Sequence, residues 1–521
     1  MTERSQRMKK RVWPGALLLA LLLLLSGCAG GGNTAKPSEA SGGEGTTNQG
    51  NTAAEGEGEL PPVELVWYYP QPAAQSDLKT MEKALNERTQ AAINATVKLK
   101  PIDFGEYTQK MNTIAASGEK FDIAWTSNWN FDFVQNVHKG VFIPLDELLG
   151  KYAPELQGEL PSFLWDMVKV GGDIYGVPNY QSITGREGFI IPTAYAEKYG
   201  LQPDSIRSWP DIEPFLEAIK TAEPDVWPLA VSRSGMFSYL INSQNIDTLP
   251  ITNNPPIGFY RDAEGLELIN VYASPEYRMY AEKMYEWYGK KYINHDAPTL
   301  KSTDDLTNAG KGIVSFSHGL NPGSEVGAKN NKFGGKDIIY VPLTEFIISS
   351  NPGIATVNAI SKTSANPERA MMLLNLINTD AELFNLLSYG VEGVHYDKLD
   401  DKTIRINETA GYAPKSAWVF GNTFNGYLTE GQAPDTFEVQ KATNESATPT
   451  RIVGFKFDSE TVTSEIANLQ TVLDEYLPGL NTGAIDPGTK LPEFLDRMEK
   501  AGIQKVIEEA QRQLNEWQAA K

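Results

Sequence analysis

The chain has 521 residues, a net charge of −20 and one cysteine. One hydrophobic core rarely grows past about 250–300 residues, so more than one domain is expected. An acidic chain with no basic run after Arg11 lacks the Lys/Arg surface that neutralises phosphates, which excludes nucleic acid as a partner, and the lone cysteine excludes an internal disulfide framework.

Arg4, Arg7, Lys9, Lys10 and Arg11 form a basic start before the apolar run 16–25. A membrane span needs about 20 apolar residues, whereas a signal-peptide core needs about 7–15. The run is followed by Leu25-Ser26-Gly27-Cys28, which resembles the lipobox of bacterial lipoproteins. That predicts a signal peptide over 1–27, a lipidated Cys28 carrying palmitate-type chains, attachment to the membrane by lipid alone, and an extracytoplasmic location. An uncleaved anchor helix with a coincidental cysteine is the alternative. Stable anchoring takes more than one acyl chain, and acylation leaves no thiol for nucleophilic chemistry. The first 27 residues carry five basic side chains and one acidic, so their removal leaves a net charge near −24. Acidity of that size is read as surface solubility rather than ligand steering.

Residues 29–61 are Gly, Ser, Thr, Asn, Ala and Glu with almost no large apolar side chain, too little to offset chain entropy. They are expected to form a flexible tether from Cys28. A strand is predicted over 63–69, ending at Pro70; then a helix with Leu78, Met81, Leu85 and Thr89 on one face, a strand at 96–99, a helix near 107–116 and a strand at 121–125. This alternation implies a parallel sheet with crossover helices. Ligands bind beyond the carboxyl ends of such strands, which singles out Tyr68, Tyr69 and Gln71 after the first strand and Trp125, Asn128, Trp129 and Asn130 after the third.

A second run of similar units follows Ile174-Tyr175-Gly176-Val177-Pro178. Ser208-Trp209-Pro210-Asp211 reads as a capping-box start to a helix with Ile212, Phe215, Leu216 and Ile219 on one face. Further strands are predicted at 312–316 and 338–341, and a helix opening at Asn366-Pro367 with Ala370, Met371, Leu374 and Ile377 buried. Residues 394–406 read as a hairpin turning at 399–401. The C-terminus is helical, first through Val462, Ile466, Leu469, Val472, Leu473 and Tyr476, then through a pair broken at Gly502.

The lipobox, Phe121-Asp122-Ile123-Ala124, Gly140-Val141-Phe142-Ile143-Pro144-Leu145-Asp146, Ile174-Tyr175-Gly176-Val177-Pro178 and Ser208-Trp209-Pro210-Asp211-Ile212, in that order, resemble extracellular solute-binding proteins of family 1, the receptors of bacterial ATP-binding-cassette (ABC) carbohydrate importers. Residues 389–396 and the tail from about 455 to 517 resemble a lipoprotein subgroup with a C-terminal domain of unknown function. The resemblance implies an α/β, two-lobed type II periplasmic-binding-protein fold with a hinge, an interlobe cleft and extra C-terminal helices. Lobe one would be 62–178 plus 353–395, and lobe two 179–352 plus 396–521, including a helical family-specific region from about 440. It further implies a monomer that closes on a carbohydrate and delivers it to ABC permease subunits.

Sugars pack flat C–H faces on aromatic rings while their hydroxyls need polar partners. Tyr69 and Gln71, and Asn128 and Trp129, have that composition at strand ends; Trp125 ends an apolar strand and reads as core. Tyr180 and Arg186 follow the presumed first crossover, Arg233 follows a short strand, and Asn358 and Trp418 come from later segments. Catalytic motifs are missing: there is no Gly-x-Ser-x-Gly, and His138, His295, His318 and His395 are scattered without metal spacing. Asp397, Asp400 and Asp401 lack the calcium-loop pattern. No cofactor, metal or catalytic residue is therefore assigned. A surface glycoside hydrolase, which needs only two carboxylates flanking a cleft, and a sensor coupled to a membrane kinase are the competing functions.

Overall fold

The computed structural model describes residues 60–519 apart from 72–73, 253 and 349–351, so Cys28, the signal segment and most of the tether lie outside the described residues. Two sheets are built from β1 (Val63–Gln71), β2 (Ala95–Asp103), β3 (Ile123–Thr126), β4 (Val177–Pro178), β5 (Gly188–Pro192), β6 (Trp227–Leu229), β7 (Gly312–Ser317), β8 (Ile338–Pro342) and β9 (Val357–Ile360). The first runs β2-β1-β3-β9-β4; β1 is parallel to β2 and β3, whereas β9 is antiparallel to β3 and β4. The predicted parallel order thus holds for three strands, and β9 enters from far along the chain in the opposite direction. β3 and β9 are buried at every position, which fits strands covered on both faces. The second sheet runs β8-β5-β7-β6, with β5 antiparallel to both neighbours and β6 parallel to β7.

Helices α1 (Leu78–Ile93) and α2 (Phe104–Ser117) connect the first strands. α1 buries Met81, Leu85, Thr89 and Ile93, one stripe at i, i+4 spacing. α2 starts directly after β2, where the Asp103 carboxylate accepts the Gly105 N–H at 2.8 Å. The Ser208–Asp211 capping box forms and opens a short 3-10 turn before the helix Glu213–Ala222, which buries Phe215, Leu216 and Ile219.

Apolar side chains gather into two large cores. One draws on 65–183 and 348–447, the other on 189–341 and 452–514. The chain passes between them three times, and the passing segments pair as a small sheet: Ile347–Ile348 is antiparallel to Thr184–Gly185 and parallel to Thr448–Pro449. This differs from the expected boundaries, which gave everything after 395 to the second lobe. Tyr412, Val419, Phe420 and Phe424 are buried in the first core. Phe420 packs its ring 5.8 Å from Trp67 and 5.2 Å from Tyr69, and the Tyr412 hydroxyl donates to the Leu387 carbonyl at 2.6 Å.

Helices α3 (Pro275–Gly289), α4 (Pro367–Thr379), α5 (Thr463–Thr482), α6 (Pro487–Ala501) and α7 (Ile503–Ala519) complete the parts that frame the site. α5, α6 and α7 pack into the second core. The Tyr277 and Tyr280 hydroxyls of α3 donate to the side chain and carbonyl of buried Asn481, at 2.9 and 2.6 Å. Gly483 ends α5 at φ 76°, where a Cβ would lie 2.1 Å from the Met284 carbonyl oxygen. Gly502 separates α6 from α7 as predicted.

Candidate functional site

The carboxyl end of β3 leads into a tightly specified loop. The Ser127 hydroxyl accepts the N–H groups of Trp129 (3.2 Å) and Asn130 (2.8 Å) and donates to the Asn130 carbonyl (3.0 Å). Phe131 is held at φ 50°, a left-handed conformation that a non-glycine residue keeps only when its surroundings impose it. Here they do: Phe131 is buried, its N–H donates to the Thr108 hydroxyl at 2.8 Å, and its carbonyl accepts from the Thr126 hydroxyl.

This loop lifts Trp129 into solvent. The ring is 53% exposed, far more than any other tryptophan among the described residues, yet its orientation is fixed. Its Nε1–H donates to the Ala355 carbonyl at 2.9 Å, and it stacks at 19° on Phe104, 6.1 Å between centroids. Phe104 stacks at 26° on Trp418, and buried Trp125 closes the cluster from below, 5.4 Å from Trp129 and 5.8 Å from Trp418. An exposed aromatic face, rigid before any ligand arrives, is suited to the C–H face of a ring-shaped polar solute.

Trp129 and Asn128 line a cavity of about 320 Å³. Asp132, His138 and Ile354 line it from the first core's side; Leu249, Ile251, Phe455, Lys456 and Asp458 line it from the second. Asp132 caps the helix Phe133–His138 through the Gln135 N–H at 2.8 Å, and burial pushes its carboxyl above the usual range.

Four predicted residues hold buried polar atoms without partners among the described residues: the Tyr69 hydroxyl, both amide atoms of Gln71, Oδ1 of Asn128 and Nε of Arg186. Such atoms call for a water or a ligand. The Arg186 guanidinium lies 4.5 Å over the Phe346 ring, and burial lowers its pKa.

Asn358, Tyr69 and Tyr180 are buried in the first core and its sheet. Asn358 is fully buried. Its Oδ1 accepts from Trp67 Nε1 (3.1 Å), and its Nδ2 donates to Asn179 Oδ1 (3.0 Å) and to the carbonyls of Val419 (3.0 Å) and Phe420 (3.2 Å). Asn179 Nδ2 in turn donates to the carbonyls of Trp418 (2.9 Å) and Val419 (2.7 Å). The pair therefore positions the Trp418 segment and offers nothing to a ligand. Tyr69 is buried against Phe420, and Tyr180 is buried with its ring 4.8 Å from Phe424, because the 412–424 segment covers both. Arg233 is exposed and, like Gln71, Arg186 and Trp418, does not line the interlobe cavity. Phe104 and Lys456 are functional candidates that local sequence pattern does not mark, although the strand-end rule, applied also to β2, finds Phe104.

Two α/β cores joined by three paired crossing strands, with an aromatic-rimmed cavity between them, define a two-lobed solute-binding protein of type II. Residues 73–382 match the bacterial extracellular solute-binding proteins, and the chain belongs to that family. Residues 451–519 match a domain of unknown function. The chain is 28% identical over 436 residues, 83% of its length and 86% of the relative's, to a carbohydrate ABC transporter substrate-binding protein of Streptococcus pneumoniae. It is 23% identical over 420 residues, 77% of each chain, to a polygalacturonan/rhamnogalacturonan-binding protein of Bacillus subtilis. Among solved structures it is similar to the N-glycan transport solute binding protein NgtS of S. pneumoniae, at TM-score 0.78 and 26% identity, covering 88% of this chain and 99% of that one. The NgtS complexes with Man1GlcNAc and Man5GlcNAc give TM-scores of 0.71 and 0.68. Among the described residues no helix is long and apolar enough to cross a membrane.

Proposed function

We propose that this chain is a lipid-anchored, monomeric receptor that captures an oligosaccharide between its lobes and passes it, unaltered, to the permease subunits of an ABC importer. The observation that carries this is Trp129, an exposed, pre-oriented ring at the rim of a cavity between the two cores. Sugar faces stack on Trp129 and on Trp418 beside it, and hydroxyls pair with the unpartnered Oδ1 of Asn128 at the cavity wall.

The named substrates of the relatives support a carbohydrate. Leu25-Ser26-Gly27-Cys28 supports the anchor, and mass spectrometry of the peptide that begins at Cys28 reads it directly.

The test is a thermal-shift screen of residues 60–521 against a broad oligosaccharide panel, with chromatography of the mixtures. A ligand at 100 times its Kd adds about 2.7 kcal/mol of stability. A shift with the sugar recovered intact is expected. No shift across the panel contradicts the receptor, and new products identify a hydrolase.

A further inference from the structure

We infer that Lys456, in the C-terminal region to which no function is assigned, selects a carboxylate-bearing sugar residue inside the interlobe cavity, a specificity that builds on the receptor function proposed above. After its last crossing the chain runs along the cavity's second wall as Phe455-Lys456-Phe457. Phe455 is anchored in the second core, its ring 5.6 Å from Trp517. Lys456 lines the same cavity as Trp129 and Asn128, half-buried, and its Nζ donates to the Lys169 carbonyl.

Among the described residues no carboxylate pairs with this ammonium. Lys283 and Lys290 share Glu213 and Glu286, whereas burial alone acts on Lys456 and lowers its pKa to about 8. The titratable groups that line the cavity with it are Asp132, His138 and Asp458. Both carboxylates are engaged by backbone, Asp132 with the Gln135 N–H at 2.8 Å and Asp458 with the Glu460 N–H at 3.0 Å. Lys220 shows how a purely structural lysine is satisfied here: it donates to the carbonyls of Pro224 and Val226 and borders none of this cavity. Lys456 has three N–H donors and, among the described residues, one acceptor, the Lys169 carbonyl. A ligand carboxylate would take the others as charge-assisted hydrogen bonds and favour the protonated form. The chain's net charge of −20 does not cancel this, because exposed charges are screened beyond about 10 Å at 0.1 M salt.

Calorimetric titration of the wild type, Lys456→Met and Lys456→Arg with matched pairs tests the assignment: tetragalacturonate and its carboxyl-reduced form, a glucuronate oligosaccharide and its glucose counterpart, and a sialylated glycan and its desialylated form. At least one acidic member is expected to bind the wild type on the order of tenfold tighter than its partner. Lys456→Met should lose that preference and keep the neutral affinity, while Lys456→Arg retains it. At pH 8 the wild type should take up protons on binding the acidic sugar, seen as a heat that varies with buffer ionisation enthalpy. Should Lys456→Met fail to match the wild-type melting midpoint, the wild-type preference and proton uptake decide. A neutral preference, equal binding within every pair, or an acidic preference that survives in Lys456→Met overturns the role of Lys456 and leaves the receptor standing. Failure of every saccharide to bind overturns the receptor, and the inference with it.

Discussion

Asn358 has no solvent access and ties Trp67, Asn179 and the carbonyls of residues 419–420 together. Removing it strands several buried polar groups at once. Asn358→Ala is expected to cost about 2–4 kcal/mol in urea unfolding and to loosen the Trp418 segment. Trp129→Ala should behave oppositely: stability within about 1 kcal/mol of wild type, sugar affinity reduced about tenfold or more by calorimetry. Glu187 accepts the N–H groups of Asn242 (3.0 Å) and Ser243 (2.9 Å) in a site so buried that its pKa is raised from 4.5 to about 7. The folded chain then binds more protons than the unfolded chain between these values, so this stability is full below pH 4.5 and is lost as pH rises to 7. Glu187→Gln should remove a slope of up to about 1.4 kcal/mol per pH unit from the unfolding free energy across that window.

At the level of elements, periodicity makes the helices legible. The α1 stripe, the Ser208 capping box and the Gly502 break are local patterns that need no partner to be recognised. α7 buries Ile503, Val506, Ala510 and Leu514. Leu514→Ala should cost about 2–4 kcal/mol in denaturant unfolding, because the terminal helices belong to the second core rather than decorating it. Long-range pairings are not legible in this way. Nothing local in residues 412–424 tells that they fold back over Tyr69 and Tyr180, so both residues read as cleft-lining and are core. Trp129 could be read because its neighbours are polar and apolar Trp125 precedes it. Lys456 could not, since its meaning lies in a cavity shared by segments more than 300 residues apart.

For the whole molecule, the three paired segments Thr184–Gly185, Ile347–Ile348 and Thr448–Pro449 carry every described passage between the cores. A hinge this narrow permits one lobe to swing on the other while each core stays intact. The cavity behind Trp129 has walls from both, so ligand that touches both walls draws them together. Small-angle X-ray scattering of residues 60–521, titrated with the saccharide that gives the largest thermal shift, tests this most directly. The radius of gyration should fall saturably over the concentration range of the thermal shift, and Trp129→Ala should move that range to higher concentration. A radius of gyration unchanged at saturating sugar would contradict capture between the lobes.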